Sequence, residues 1–534
     1  MKRNIVNIIH FIRWTDSRHP DRNLFEPMAE QIKLAKKYGF KADILLQYDA
    51  LIDEKYTNFI KNEQDGSLEI GAWFEIVQQQ TQATGIEWRG RDGFSWDWYA
   101  NVGFLAGYTQ EQRRKLIDEY MQKFHSIFGY YPCVVGSWFM DAYSIQYLNE
   151  KYHIKAVCIC RDQWGTDGYN LWGGYFNGGY FPSKHNMFCP AQTKDEQINV
   201  PLFRMLGSDP IYQYDLGLSS DNGFTPIAHQ GVCTMEPIYP KCGGNPNWVN
   251  WFLDETFNSH AQPYGYVQAG QENAFGWAAM DKSLPMQWDI IKKRLDQGKI
   301  EIMHLSETGE WFQNTFDLTP AVSSCAVSDW NKIDECDRKS AWYNTRFYRV
   351  NVYKENNRVW IRDIHIFDQN YKERYLTDVC QSADCVYDNL PVVDGYRWCG
   401  HNIRSGLYVA LKNDGKWTEA QGTDVDISRQ ADKLSVIWTT YDSKQINYDC
   451  FEKSLQISCD NHSDENSDTN DWAMILKWGA NDVPIRKVEG DYILFNYNQY
   501  EYKAKLSCGH FSFEPTNKMI FIYPENNKII FDFV

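Results

Sequence analysis

Residues 1–310 alternate between short apolar runs and longer segments with an apolar residue at every third or fourth position. The short runs predict strands, and the longer periodic segments predict helices. The predicted strands are residues 5–13, 41–48, 67–74, 133–139, 154–160, 264–270 and 300–305. Because a helix or a helical stretch separates most of these strands, they should lie parallel, and seven such units predict an α/β barrel of the (β/α)7 type.

One predicted helix has clear signals at both ends. Thr109 followed by Gln112 forms the pattern of a capping box, and Gly129 stands where a helix would stop. Apolar residues recur at helical spacing between these positions. We therefore expect a helix of about five turns between the third and fourth strands.

The pattern changes twice further along the chain. Residues 162–247 form a long insertion rich in glycine, proline and aromatic residues, and from about residue 331 short strands separated by Gly, Asn and Asp turns replace the alternation. These strands predict an antiparallel β-sandwich. We expect a barrel domain over 1–325 and a β-sandwich over 326–534. The polar stretch 460–471 is expected to be a hairpin tip rather than a metal site.

Composition narrows the class of protein. The chain of 534 residues is 43% apolar and 23% charged, as in an ordinary soluble globular protein, and its net charge of −16 argues against nucleic acid and anionic membranes as partners. The N-terminal run is short and interrupted by Asn7 and His10, so we expect a strand there rather than a signal peptide or a transmembrane span. The sequence does not indicate in which cellular compartment the protein acts. The 14 cysteines include no CxxC pair and are interpreted mostly as buried thiols rather than zinc ligands or a disulfide framework.

Nearly every predicted strand of the barrel is followed by an acidic residue. In parallel barrels the reactive groups lie at the carboxyl ends of the strands, and glycoside hydrolysis needs two carboxyl groups, one ionised and one protonated. The catalytic candidates are Glu75, Asp141, Glu272 and Glu307, with Glu236 of the insertion as a weaker one. Each also has a structural explanation; Asp141, for example, precedes a helix as an N-cap.

The chain is also rich in aromatic residues, with 21 Trp, 34 Tyr and 29 Phe. Rings in loops can stack on the apolar face of a sugar, although many of these rings could equally fill the core. The expected partner is a carbohydrate substrate. The candidates for substrate binding are His10, Trp14, Trp73, Trp138, Asp162 and His304.

Three segments resemble a known superfamily: "EIG" at 69–71, "FGYYPCVVGSWFMDAYSIQYLNEKYHIKAVCICRDQWGTD", and "IEIMHL" at 300–305. Over residues 1–310 the chain resembles the glycoside hydrolase/deacetylase (β/α)7 barrels. The whole chain is similar to an uncharacterised two-domain bacterial family of unknown function. The resemblance implies Asp141 as nucleophile and Glu307 as proton donor, with Glu75 and Glu272 as supporting or substitute groups.

The sequence departs from the deacetylases of that superfamily. Trp73 and Val77 occupy the positions where deacetylases carry two metal-binding histidines. We therefore expect no metal and no cofactor, and the leading hypothesis is a metal-independent hydrolase of an α-linked glycan or oligosaccharide. Two alternatives stay open: a barrel that binds carbohydrate without catalysis, and a divergent metal-dependent polysaccharide deacetylase.

Overall fold

The computed structural model describes residues 2–258, 263–331, 336–430, 432–461, 471–514 and 519–534. Residues 462–470 of the expected hairpin tip lie outside this set. The α-helices of the described residues are α1 Phe25–Tyr38, α2 Tyr48–Ile52, α3 Glu54–Glu63, α4 Gln78–Thr84, α5 Ala100–Gly103, α6 Gln110–Phe128, α7 Ala142–Tyr152, α8 Pro246–Asn258, α9 Ser283–Asp296 and α10 Leu305–Thr315.

The strands fall into an N-terminal and a C-terminal group. The first group is β1 Arg3–Ile12, β2 Ala42–Leu46, β3 Leu68–Trp73, β4 Val134–Gly136, β5 Ala156–Ile159, β6 Gln163–Thr166, β7 Tyr169–Leu171, β8 Gly179–Tyr180, β9 Pro182–Ser183, β10 Asn186–Pro190, β11 Leu202–Arg204, β12 Tyr264–Ala269 and β13 Glu301–Ile302. The second group is β14 Val322–Ala326, β15 Arg338–Asn344, β16 Tyr348–Glu355, β17 Arg358–Ile366, β18 Cys385–Tyr387, β19 Leu390–Asp394, β20 Gly406–Asn413, β21 Lys416–Glu419, β22 Gly422–Arg429, β23 Lys433–Thr440, β24 Lys444–Phe451, β25 Ser454–Asn461, β26 Trp472–Lys477, β27 Ile485–Val488, β28 Tyr492–Tyr497, β29 Tyr500–Cys508, β30 His510–Glu514, β31 Met519–Tyr523 and β32 Lys528–Asp532.

The N-terminal half forms a curled sheet with the strand order β12-β1-β2-β3-β4-β5-β11-β8. All neighbouring strands are parallel except β8, which runs antiparallel to β11. The two ends of the sheet meet through a side chain, because the hydroxyl of Tyr264 on β12 accepts from the N–H of Gly179 at 2.9 Å. The expected α/β barrel is thus present.

The order of strands within the barrel differs from the expectation in two places. β11 lies inside the segment interpreted as an insertion, yet it pairs in parallel with β5 as a strand of the barrel. The expected last strand, 300–305, is reduced to the two residues of β13, which pair with Ile5 and Val6 on β1. This pairing puts the end of β13 only halfway along β1. The residues that follow β13, including Glu307, therefore do not reach the carboxyl end of the barrel.

The interior of the barrel is tightly packed. A Cβ atom on Gly136 of β4 would lie 2.7 Å from Leu45, 2.8 Å from Trp73 and 2.9 Å from Cys158, side chains of three other strands. From Ile5 to Ile12 every residue of β1 is buried, because the strand has the barrel interior on one face and helices on the other.

The C-terminal half consists of two antiparallel sheets packed as a sandwich. One has the order β14-β15-β16-β17-β20-β26-β31-β30, and the other has the order β22-β23-β24-β25-β32-β29-β28-β27. Val350 and Leu407 of the first sheet share one apolar core with Trp438 and Ile457 of the second. The expected β-sandwich is therefore present. The boundary expected between residues 325 and 326 falls within β14.

The two halves are connected by a small mixed sheet. β18, from the C-terminal half, pairs in parallel with β7 of the segment after β5, and β7 pairs with β6. None of the described helices is both long and apolar enough to span a membrane.

Candidate active site

Arg13 lies at the centre of a buried charged cluster at the carboxyl end of the barrel. Its guanidinium donates from Nε to Glu75 Oε2 at 2.7 Å and from Nη2 to Glu75 Oε1 at 2.7 Å. Its third nitrogen, Nη1, donates to Oε2 of Glu272. All three side chains are at most 4% exposed. Two glutamates that are almost 200 residues apart in the sequence therefore share one cation.

The order of the strands explains why these residues meet. β1 lies between β12 and β2, and β3 follows β2, so Arg13, Glu75 and Glu272 all come just after neighbouring or nearly neighbouring strands. Gln47, after β2, donates to Glu75 Oε2 at 3.1 Å. Asn273 fixes the backbone of Arg13 by accepting from its N–H at 2.9 Å and donating to its carbonyl at 2.7 Å.

Burial and neighbouring charges shift the pKa values of Arg13 and Glu272. Burial disfavours the charged guanidinium, but Glu272 and Glu75 hold the pKa of Arg13 well above its ordinary value. Burial raises the pKa of Glu272 to about 7, against the opposing effect of Arg13. A carboxyl with this pKa is partly protonated near neutral pH, so it can donate a proton.

Glu236 joins the cluster from the segment after β11. Burial and the charge of Glu272 raise the pKa of Glu236 to about 7. Thr234 donates to its Oε2 at 3.1 Å, and Gln271, next to Glu272, donates to its Oε1 at 3.4 Å. The weaker sequence candidate therefore lies in the same acidic centre as Glu75 and Glu272.

Tryptophan rings line the mouth around the cluster. The guanidinium of Arg13 lies 4.4 Å from the ring centre of Trp96, and Arg18 lies over both Trp96 and Trp98. Trp14, next to Arg13, is 46% exposed, and its indole N–H donates to Asp53 at 3.0 Å. Trp138 is half-buried and meets Phe11 edge-on at 5.5 Å inside the barrel. Trp14 and Trp138 are thus the sequence candidates for substrate binding that are not buried.

The structure places Asp141 away from this centre, so the expectation that it joins the other acids is wrong. Its carboxylate caps α7 by accepting from the N–H of Ser144 at 2.9 Å, and it forms a buried ion pair with Arg113 of α6 at 3.0 Å. The N-cap interpretation is the one the structure supports.

Glu307 and His304 lie at the opposite end of the barrel. Glu307 pairs with Lys41, which precedes β2, and His304 Nδ1 lies 3.3 Å from Asp43, near the start of the same strand. Because β2 and β3 are parallel, residues before β2 are at the other end of the barrel from Glu75. The expected convergence of Glu307 with Glu75 and Glu272 is therefore wrong, and the reason is the register of β13 against β1.

The remaining sequence candidates have structural contacts. His10 Nδ1 lies 3.1 Å from the carbonyl of Gln271, its ring lies beside Trp288 of α9, and burial lowers its pKa to about 4. Trp73 is buried and stacks on Phe11 at 4.2 Å. Asp162 binds Arg349 of β16 at 2.9 Å. None of these three side chains is open to solvent.

One group in the described part of the chain could hold a metal ion. Asp43, Glu69 and His304 each offer a ligand atom, and these atoms lie within 4.8 Å of one another. The group is at the amino end of the barrel strands, where the two carboxylates also accept from the N–H groups of Leu305 and Ser306 at the start of α10. It is remote from Arg13 and its glutamates.

Sequence reasoning missed Arg13, although it had a signal. Arg13 is the last residue of the predicted first strand, a position from which side chains reach the mouth. Arg13 is the common partner of Glu75 and Glu272, and this shared contact distinguishes these two carboxylates from the other acidic residues at the strand ends.

A family model described as a domain of unknown function with a solved structure (DUF3863) matches residues 94–321, a range that contains Glu236 and Glu272 but not Arg13 or Glu75. No curated protein matches the chain.

A solved structure from Parabacteroides distasonis, provisionally assigned as a glycoside hydrolase/deacetylase, aligns with 73% of this chain and 91% of its own at 14% identity, with a TM-score of 0.52. The chain shares its fold. The resemblance to glycoside hydrolase/deacetylase barrels is thereby confirmed as a likeness of fold.

Two other structures align at lower TM-scores and 11% identity. A provisionally assigned polysaccharide deacetylase from Mycobacterium smegmatis has a TM-score of 0.36, covering 60% of this chain and 93% of its own. A GH57 branching enzyme from Thermococcus kodakaraensis has a TM-score of 0.31, covering 59% and 72%.

Proposed function

We propose that this protein is a glycoside hydrolase that uses two carboxyl groups and no metal ion. The observation that supports it is the Arg13 cluster, in which Glu75 and Glu272 lie against one buried guanidinium at the mouth of the barrel. Glycoside hydrolysis needs a carboxylate and a carboxylic acid on either side of the bond that breaks.

Glu272 is the proposed proton donor. Its raised pKa of about 7 keeps a large fraction protonated at neutral pH, as a general acid requires. In the proposed reaction Glu272 gives its proton to the glycosidic oxygen as the bond to the anomeric carbon breaks. Water then adds its hydroxyl to that carbon, and the remaining proton restores Glu272.

Glu75 is the proposed carboxylate. Glu75 is buried, and its bidentate ion pair with Arg13 and the hydrogen bond from Gln47 hold it in one orientation, so its proposed part is to contribute negative charge near the sugar ring, where positive charge develops. Glu236, with its pKa raised to about 7, is a second acid from which a proton can be passed within the cluster.

The proposed substrate is a glycan or oligosaccharide, and the resemblance drawn from the sequence favours an α-linkage. Exposed and half-buried indole rings beside a carboxylate cluster suit a sugar, whose C–H faces stack on rings while its hydroxyls bind polar groups. Trp14 and Trp138 are the proposed stacking residues, since neither is buried.

The test is a screen of chromogenic glycosides with the chelator-treated wild type, Glu75→Gln and Glu272→Gln. We expect each variant to lose at least about 100-fold in kcat, the scale of a lost acid or base, while sugar binding measured by calorimetry persists. Glu307→Gln is the matched control, because Glu307 lies outside the cluster at the other end of the barrel and is partly exposed, and this variant should keep full activity.

Three outcomes would contradict the proposal. Turnover that survives both cluster substitutions would remove the assigned residues. Glycoside turnover that disappears with the chelator and returns with added metal would contradict the metal-independent mechanism, and sugar binding without turnover of any glycoside would favour a binding protein.

A further inference from the structure

Two buried cysteines lie in contact beside the candidate active site. Both are free thiols, and Sγ of Cys233 and Sγ of Cys242 are 2.7 Å apart, in direct contact but longer than the bond of about 2.05 Å in a disulfide. Both side chains are nearly excluded from solvent, at 5% and 2% exposure. Their other sulfur contacts are longer, 3.6 Å to Asp209 and 3.8 Å to the carbonyl of Val232.

The backbone brings these two positions together independently of the sulfur atoms. Gly243 N–H donates to the carbonyl of Thr234 at 3.0 Å, so the residues that follow the two cysteines are hydrogen-bonded neighbours. Gln287 of α9 donates to the carbonyl of Met235 at 2.7 Å and to that of Gly243 at 2.6 Å, which ties both ends of the loop to one side chain.

The loop between the cysteines carries Glu236. Within it, Tyr239 N–H donates to the carbonyl of Glu236 at 3.2 Å and Cys242 N–H donates to the carbonyl of Tyr239 at 3.0 Å. A covalent link between the ends of this loop would restrict the positions that the Glu236 carboxyl can take relative to Gln271 and Glu272.

We propose that Cys233 and Cys242 form a disulfide that closes the loop carrying Glu236. The thiolate of one cysteine attacks a small-molecule disulfide such as oxidised glutathione, forming a mixed disulfide and expelling one thiolate. The second cysteine attacks the mixed disulfide, forms the internal S–S bond and expels the other thiolate. The two protein sulfurs are oxidised, the two glutathione sulfurs are reduced, and the two thiol protons end on the released thiols.

The test counts free thiols in the full chain. Native protein is equilibrated with mixtures of oxidised and reduced glutathione, quenched in acid, unfolded and alkylated without reductant, and the products are analysed by intact mass and peptide mapping. The chain has 14 cysteines, and we expect 12 to be alkylated in the oxidised protein, with one linked peptide pair containing Cys233 and Cys242.

Single substitutions make the test specific. Cys233→Ala and Cys242→Ala should each leave all 13 remaining cysteines alkylated. Cys189→Ala is the matched control, since Cys189 is similarly buried but its sulfur donates to the carbonyl of Pro190 at 3.5 Å and forms no hydrogen bond to another cysteine among the described residues. This variant should still show two protected cysteines. Fourteen alkylated cysteines at every glutathione ratio, a stable glutathione adduct on either residue, or a link between other cysteines would each overturn the proposal.

The functional consequence rests on the proposed hydrolase activity and is measured separately. Reduction of the disulfide should lower kcat severalfold in the wild type and leave Cys233→Ala unchanged. If the mass analysis finds the link and no glycoside is turned over, the proposed function fails and the disulfide stands. If glycosides are turned over and no link forms, the disulfide fails alone.

Discussion

At the scale of single residues, burial and the Arg13 cation act on the titration of Glu272 in opposite directions. Burial raises the pKa of Glu272 to about 7, and Arg13 lowers it from the value that burial alone would give. A general acid is active in its protonated form, so kcat/KM should fall as the pH rises above about 7. Arg13→Gln removes the cation beside the carboxyl, which should raise the pKa of Glu272. The remaining activity should therefore persist to higher pH, and the alkaline limb of the kcat/KM profile should move to higher pH.

The measurement is kcat/KM against pH for the wild type and Arg13→Gln. Lys41→Gln is the control, because Lys41 pairs with Glu307 at the other end of the barrel, and its profile should coincide with that of the wild type. An alkaline limb that stays in place in Arg13→Gln would show that Glu272 is not the titrating acid.

At the amino end of the barrel, Glu69 and Asp43 form a hydrogen-bonded carboxyl pair. Burial and the neighbouring Asp43 raise the pKa of Glu69 to about 8. The folded protein therefore binds this proton more tightly than the unfolded chain, and the resulting stability is present at low pH and is lost as the pH rises through about 8.

Glu69→Gln removes this titration while keeping an acceptor for the N–H of Ser306. We expect the fall in Tm between pH 6 and pH 9 to be smaller in Glu69→Gln than in the wild type, measured by thermal unfolding. Glu310→Gln, an exposed acid paired with Lys155, should show the wild-type fall. An unchanged slope in Glu69→Gln would contradict the assignment.

At the scale of elements, α10 closes the amino end of the barrel at a position where only glycine fits. A Cβ atom on Gly309 would lie 2.2 Å from the carbonyl oxygen of Lys155, which is backbone and cannot move aside alone. Gly309→Ala should destabilise the protein by about 1–3 kcal/mol, the usual cost of overpacking. Denaturant unfolding would measure the loss, and Gly66→Ala is the control because no neighbouring atom lies within 4 Å of the position that its methyl group would take.

The elements that the sequence predicted well are those with local signals. The capping box of Thr109 and Gln112 and the left-handed Gly129 are both present at the ends of α6, because each depends on contacts within a few residues. β11 was missed because a strand of three residues has no periodicity of its own, and its place in the sheet depends on distant pairing with β5.

The difference between local signals and distant pairing also explains which site residues were predicted to converge correctly and which were not. Glu75 and Glu272 follow strands whose ends the apolar pattern marks clearly, so the strand-end rule places them near the mouth. Glu307 follows β13, whose register on β1 depends on pairing with Ile5 and Val6, and no local pattern reveals that register. The shared contact with Arg13 likewise exists only after folding.

At the scale of the whole molecule, a buried charge network connects the barrel to the sandwich. Arg349 of β16 donates to Asp162, which follows β5, at 2.9 Å and to both oxygens of Asp363 on β17 at 3.0 Å. All three side chains are inaccessible to solvent. The two halves are therefore expected to unfold together, since separating them would expose this network along with the β7–β18 pairing.

Arg349→Met tests this coupling. The substitution keeps an apolar stem but leaves two carboxylates buried without their cation, and losing one partner of a buried pair costs about 3–5 kcal/mol. We expect a large fall in Tm and a calorimetric transition that separates into two, because the contact between the halves weakens more than either core. Lys339→Met is the control. Lys339 pairs with Asp424 within the sandwich, the Asp424 side chain is largely exposed, and ion pairs with an exposed partner contribute at most about 1 kcal/mol. A single transition in Arg349→Met at the wild-type Tm would mean that apolar packing alone, and not this ion pair, couples the barrel to the sandwich.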